Sequence, residues 1–282
     1  VFGDWSSDVC SSDLELRSLT PRPHDDMGIS FFLLMDNSGS MWTDIDGAET
    51  TETDKLRVSQ AKAAAKSFLD ALGERDRVGL AVFNTRYWNA ALPGSGAQDI
   101  MRSLDELRRP ASEDAYTELY LSMGRALTDF SAEPGRRVLI ILSDGENFPY
   151  AQITGKPNPE TGTDSASPAE IIESAIRNGI SVYAIRFGAQ KDPLLGSMAE
   201  QSGGRAFDAM DMAELSEVYQ TIRRDVLNEV AVDYRAGMAM GEKRWVKVAY
   251  RDERGRRYEA ERFYYSGTLF GSGAAMPKAA YF

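Results

Sequence analysis

Two aspartates stand where chemistry can happen, each closing an apolar run and opening a turn. Asp36 follows Ile29–Met35 (ISFFLLM), and Asp144 follows Arg137–Leu142 (RVLIIL) within Ser143-Asp144-Gly145. Around the first, Ser38 and Ser40 lie two and four residues on, a spacing with which a tight turn aims alternate hydroxyls to one side. The set offers oxygen only. Hard cations take oxygen ligands, and Mg²⁺ keeps a near-octahedral shell that retains waters, so these residues suit Mg²⁺, with Mn²⁺ or Ca²⁺ as alternatives. Zinc would want histidine or cysteine, but the single histidine, His24, has no companion at ligand spacing, and Cys10 is the only cysteine. No nucleophile with a neighbouring base accompanies the aspartates, so the expectation is a protein that is not an enzyme.

For Asp36 and Asp144 to meet, their strands must run parallel in one sheet and end on the same edge, where ligands bind in open α/β sheets. The rest of the chain supplies such a sheet. Lys55–Leu72 places Ala61, Ala65, Phe68 and Leu72 on a helical stripe with Gly73 after it. Arg77–Phe83 and Ile180–Phe187 read as strands, and Tyr87–Leu92 as a short edge strand. Gln98–Leu107, Glu118–Phe130, Pro193–Gln201 and Met212–Leu227 read as helices. Ser167-Pro168-Ala169-Glu170 combines a capping serine, a first-turn proline and a glutamate three residues on, so a helix starts there. Alternation of apolar strands and amphipathic helices predicts an α/β fold, a doubly wound, mostly parallel sheet with helices on both faces. Glu146–Ser167, rich in Pro, Gly, Thr and Asn, reads as an insertion at the rim of the site.

Asp36-Asn37-Ser38-Gly39-Ser40 resembles the DxSxS metal-ion-dependent adhesion site of von Willebrand factor type A (VWA) domains, in the bacterial style. Thr117, before the helix at Glu118, matches that family's second-loop threonine, and Asp144 its third-loop aspartate. The likeness runs from about Ile29 to Asn228. It implies that Ser38, Ser40 and Thr117 contact the ion by hydroxyl while Asp36 and Asp144 act largely through water or behind the first ligands. Neutral hydroxyls leave most of the ion's charge uncancelled, so a partner protein's Asp or Glu carboxylate would complete the shell. Residues placed for that partner are Asn37, Met41, Trp42, Tyr116, Glu118, Gly145, Glu146 and Asn147, with packing against the adjacent helix an equal alternative for Met41 and Trp42. Two departures from the family pattern are Ala115-Tyr116 in place of glycines and the length of the insertion after Asp144.

The reading is a divalent-metal-dependent adhesion or interaction module. Alternatives are a regulatory or scaffold subunit of an ATPase or cell-envelope assembly, and a Mg²⁺ phosphohydrolase. Phosphohydrolases with an aspartate after the first strand need a second aspartate two residues on as general acid, and here that position is Ser38. A net charge of −11 excludes a broad basic footprint for nucleic acid. Arg251, Arg254, Arg256 and Arg257 read as a charged turn, and Gly94-Ser95-Gly96, without a following lysine, as a linker and not a phosphate loop.

Residues Asp4–Leu14 (DWSSDVCSSDL) match the in-frame translation of a short-read sequencing adapter, so 1–14 are expected not to be native. Any leader or anchor is then unread, and an envelope, periplasmic or secreted location is favoured from the resemblance alone. The expected organisation is a linker over 15–28, the VWA-like domain over 29–228, a β-hairpin extension over 229–270 and a tail from 271. The extension rests on Trp245–Tyr250 and Arg257–Tyr265, with Val230–Tyr234 as a third strand. No apolar stretch is long enough to span a bilayer.

Overall fold

A strand covered on both faces needs an unbroken apolar run, and ISFFLLMD supplies one: every residue of Ile29–Asp36 is buried. The computed structural model describes residues 15–21, 28–188, 192–235, 243–251 and 254–265. The expectations placed on residues 1–14, on His24 and on 271–282 lie outside them. In chain order the elements are β1 (Glu15–Pro21), β2 (Ile29–Asp36), α1 (Arg57–Asp70), β3 (Arg77–Phe83), β4 (Tyr87–Ser95), α2 (Ala97–Glu106), α3 (Leu119–Phe130) and β5 (Arg136–Ser143). There follow α4 (Tyr150–Thr154), α5 (Pro168–Arg177), β6 (Ile180–Phe187), α6 (Pro193–Gln201), β7 (Ala206–Ala209), α7 (Met212–Leu227), β8 (Val230–Arg235), β9 (Lys243–Arg251) and β10 (Arg257–Tyr265). They fall into two compact units, one of His24–Arg224 and one of Val1–Pro23 with Asp225–Phe282.

The larger unit holds a six-stranded sheet in the order β4-β3-β2-β5-β6-β7. Only the β3–β4 pair is antiparallel. The chain leaves β2 toward β3 on one side and returns to β5 on the other, so strand order reverses between β2 and β5, where open α/β sheets place their ligands. Met35 registers with Leu142, which brings the carboxyl ends of both strands level.

Alternate residues of β2 serve opposite faces. Phe32 and Leu34 join Leu119, Met123 and Phe130 of α3, Ile171 of α5 and Met198 of α6 in one buried cluster, with Phe32 stacked on Phe130 at 5.3 Å. On the other face Phe31 meets Phe68 of α1 edge-on at 5.2 Å, and Phe68 stacks on Tyr219 of α7 at 5.0 Å. Each such ring contributes about 1.5–3 kcal/mol by burial, so the edge that carries the site is anchored from both sides. Helix α5 begins as expected: the Ser167 hydroxyl accepts from Glu170 N and Glu170 Oε2 accepts from Ser167 N at 2.8 Å.

Three differences from expectation have physical reasons. Glu15–Pro21, expected as linker, is a strand because β8 supplies an antiparallel partner from Glu15↔Arg235 to Pro21↔Val230; its own pattern carries too few apolar residues to announce it. β7 is only four residues long, AFDA, and owes its conformation to pairing with β6. Gly94 and Ser95, expected in a linker, close β4 instead. The insertion after β5 is organised, with helix α4 and reciprocal main-chain bonds of 2.7 and 2.8 Å between Asn158 and Gly162.

In the smaller unit β9 and β10 pair antiparallel from Lys243↔Tyr265 to Arg251↔Arg257, and β1 pairs with β8. Among the described residues no helix is long and apolar enough to cross a membrane.

Candidate metal centre

Asp36 ends β2 with no exposed surface. Its Oδ1 accepts from Ser38 N at 2.7 Å, the bond that tightens the turn, and its Oδ2 accepts from Ser143 Oγ at 2.6 Å. Ser143 is the last residue of β5, so this bond locks the two strand ends together. The hydroxyls of Ser38 and Ser40 stand 3.1 Å apart, and Ser40 Oγ donates to Asp144 Oδ1 at 2.9 Å. The first and third loops therefore meet at the edge where their parallel strands end.

The second loop joins through its backbone. Gly39 N donates to Ala115 O at 2.9 Å, and a Cβ at Gly39 would stand only 3.1 Å from the Ala115 Cβ, so a glycine keeps the loops in contact. Thr117, buried, exchanges main-chain bonds of 3.1 and 2.9 Å with Phe148, four residues past Asp144. The turn bearing Thr117 is thus tied to the Asp36 turn on one side and to the chain after Asp144 on the other.

Of the two buried carboxylates, Asp144 has a cation beside it and Asp36 is held by hydrogen bonds alone. Burial first, and then the charge of Asp144, pushes the Asp36 carboxyl up to about 7, against the hydrogen bonds from Ser143 and Ser38. Burial also raises Asp144, opposed by the Arg57 guanidinium and the Ser40 hydroxyl. Arg57 Nη1 bonds directly to Asp144 Oδ2. Among the described residues no group of three or more His, Cys, Asp or Glu side chains gathers, so an ion here would rely on hydroxyl oxygens and water. That donor chemistry, beside a wholly buried Asp36 carboxylate that hydrogen bonds hold and, among the described residues, no cation pairs, fits a hard divalent cation.

The residues placed for a partner divide. Glu146 is exposed, and Trp42, Tyr116, Gly145 and Asn147 are half-buried. Three assignments are corrected. Met41 is wholly buried, its side chain turned into the core by the short helical turn over Gly39–Trp42. Asn37 is buried as a strut, Nδ2 donating to Arg108 O at 3.1 Å and Oδ1 accepting from Trp42 Nε1 at 3.0 Å. Glu118 is buried too, and its Oε1 accepts from Tyr150 N at 2.8 Å and Asn158 Nδ2 at 2.9 Å, which pins the insertion to the start of α3. Trp42 lies under the Lys62 ammonium at 5.8 Å, on α1. Asn147 is tied as well, its Oδ1 accepting from Tyr120 N at 3.1 Å and its N donating to Asp192 Oδ2 at 3.3 Å.

Four residues at the site went unread in the sequence. Ser143 had a signal, since it precedes Asp144 at a strand end. Arg57 had none, because a helix-opening arginine is ordinary. Phe148 and Tyr150 were passed over inside a polar insertion, yet Phe148 is 49% exposed and stacks with Tyr116 at 6.1 Å, while Tyr150 meets Tyr116 edge-on at 5.1 Å.

The model of the von Willebrand factor type A domain matches residues 31–221, well over half the chain. The chain belongs to the VWA family. Among curated relatives, the UPF0353 protein of Mycobacterium avium is 26% identical over 212 residues, 69% of this chain and 59% of its own length. That of Mycobacterium marinum is 23% identical over 231 residues, 77% of this chain and 64% of its own. The chain thus spans less than two-thirds of the length of these VWA relatives. Solved structures share the fold at low identity. The PilB minor pilin from Streptococcus sanguinis has a TM-score of 0.55 at 14% identity, covering 72% of this chain and 62% of that one. BatB from Bacteroides thetaiotaomicron, described as a conserved hypothetical protein, has a TM-score of 0.52 at 17% identity, covering 70% and 98%. Proximal thread matrix protein 1 from the mussel byssus, solved with zinc occupying its MIDAS motif, has a TM-score of 0.51 at 17% identity, covering 75% and 48%. VWA domains are commonly interaction modules, and a divalent ion often serves them.

Proposed function

We propose that this VWA domain is a divalent-metal-dependent protein-binding module. Ser38, Ser40 and Thr117 hold Mg²⁺, or Mn²⁺ or Ca²⁺, Asp36 and Asp144 act from behind them, and a partner's Asp or Glu completes the shell. The observation that carries the reading is the set of contacts at the site: Ser40, exposed, is bonded to buried Ser38 and to Asp144, and the Asp36 carboxylate lies wholly buried at the foot of the same turn. Neutral hydroxyl ligands leave an ion strongly positive, and the buried carboxylates nearby keep it in place. The bound ion supplies electrostatic attraction for an anionic oxygen. Tyr116, Phe148 and Tyr150 form an aromatic ledge by the Thr117 loop, suited to an apolar side chain next to the partner's carboxylate.

No second aspartate takes the general-acid position at Ser38, which argues against phosphoryl transfer. Phosphatase turnover lost on Asp36→Asn would reverse that judgement. An envelope or extracellular site of action is supported by the pilin PilB and by the aerotolerance-related membrane protein from Bacteroides fragilis among structural relatives.

Water relaxation by bound Mn²⁺ tests the vacant corner of the shell. Chain loaded with Mn²⁺ should enhance water relaxation strongly, and an Asp-containing peptide should lower that enhancement while the same peptide with Asn should not. Equal response to both peptides would contradict a carboxylate-completed shell.

A further inference from the structure

Arg57 opens α1, with its backbone N bonded to Thr43 O at 3.0 Å, and is 7% exposed. Its guanidinium reaches across the first loop: Nη2 donates to Ile45 O at 2.9 Å, Nη1 to Ser40 O at 3.3 Å and also to Asp144 Oδ2. Nε is buried without a partner. A guanidinium placed only to staple the loop would use that fork; here one donor is left idle while Nη1 reaches a carboxylate that is itself 2% exposed. Both oxygens of Asp144 are thereby engaged, Oδ2 by Arg57 and Oδ1 by Ser40.

We infer that Arg57 is a resident counter-charge of the ion site, cancelling Asp144 so that the cradle presents one net negative charge to a divalent ion and not two. The inference rests on the metal-dependent reading above. Its consequence is a trade. A cradle of lower charge holds the ion less tightly but leaves it more attractive to an outside carboxylate. The same pairing lets the loops keep their geometry when no ion is bound, because Asp144 is never buried uncompensated.

Calorimetric titration of the chain with Mn²⁺ tests this in wild type, Arg57→Met, Arg57→Lys, Asp144→Asn and the double variant Arg57→Met/Asp144→Asn. Removing one positive charge a few ångströms from the ion should tighten Mn²⁺ binding about tenfold or more in Arg57→Met, with Arg57→Lys near wild type. Asp144→Asn alone should bind more weakly than wild type. The double variant removes both members of the ion pair and so strands neither charge, which keeps it informative even where Arg57→Met fails to fold, and it should bind Mn²⁺ about tenfold more tightly than Asp144→Asn. Thermal melts add a second readout: Arg57→Met should lose more stability in EDTA than in Mn²⁺, whereas a plain loop staple loses the same in both. Unchanged or weaker binding in Arg57→Met, or a double variant no tighter than Asp144→Asn, overturns the inference while leaving the metal-dependent reading standing. No uptake by wild type overturns both.

Discussion

At the residue scale the site sets hydroxyls beside buried charge, with Ser40 alone of the three reaching the surface. Asp36 was legible because a carboxylate at the end of a buried strand has few reasons to be there, and Ser38 and Ser40 because their spacing repeats on one side of a turn. Glu118 was misplaced at the rim because sequence shows adjacency to Thr117 but not direction: its carboxylate turns inward to Tyr150 N and Asn158 Nδ2. Glu118→Ala strands those two donors in a buried setting and should cost about 2 kcal/mol or more in a urea melt. A loss under half a kilocalorie would mean the insertion is held by something else. Arg57 was illegible for the opposite reason, since it joins Ser40 and Ile45 of the preceding loop to Asp144, which is distant in the chain and near it only once β2 and β5 are side by side.

At the element scale the buried strands were the most readable features. β2 and β5 are continuous apolar runs, and only a parallel, doubly covered sheet gives such runs a place. Helix α5 was readable to the residue through its cap, and this can be measured. Ser167→Ala should lower stability by about 1 kcal/mol and leave Mn²⁺ affinity unchanged, since the cap lies in exposed surroundings away from the loops. A matching fall in ion affinity would show that α5 and the site are coupled. β1 and β7 were not readable because their strand conformation is borrowed. Neither has a periodic pattern of its own, and both depend on a partner strand supplied from elsewhere, β8 for one and β6 for the other. The insertion shows the same limit: its Pro, Gly and Asn residues gave loop chemistry correctly, but the buried Asn158 that organises it bonds to Thr85 O at 2.9 Å and to Glu118, contacts with no sequence periodicity.

At the scale of the whole molecule the reversal of strand order between β2 and β5 does the assembling. It brings together loops from three separate stretches of the chain, and the helices on both faces hold that edge still. Protein–protein bonds alone already connect the loops, Asp36 to Ser143, Ser40 to Asp144, Gly39 to Ala115 and Thr117 to Phe148. An ion bound there should therefore act on a preformed cradle at the sheet's rim and not on the core. The central claim is that this cradle takes up a divalent ion through Ser38 and Ser40. Calorimetry of the chain with Mg²⁺ and Mn²⁺, run beside Ser38→Ala/Ser40→Ala with circular dichroism in EDTA as the check on folding, measures it directly. The account predicts uptake of a single ion by wild type, loss of that uptake in the double variant, and the same spectrum for both proteins with or without the ion. No heat of binding at millimolar metal, or equal uptake by the double variant, would contradict it.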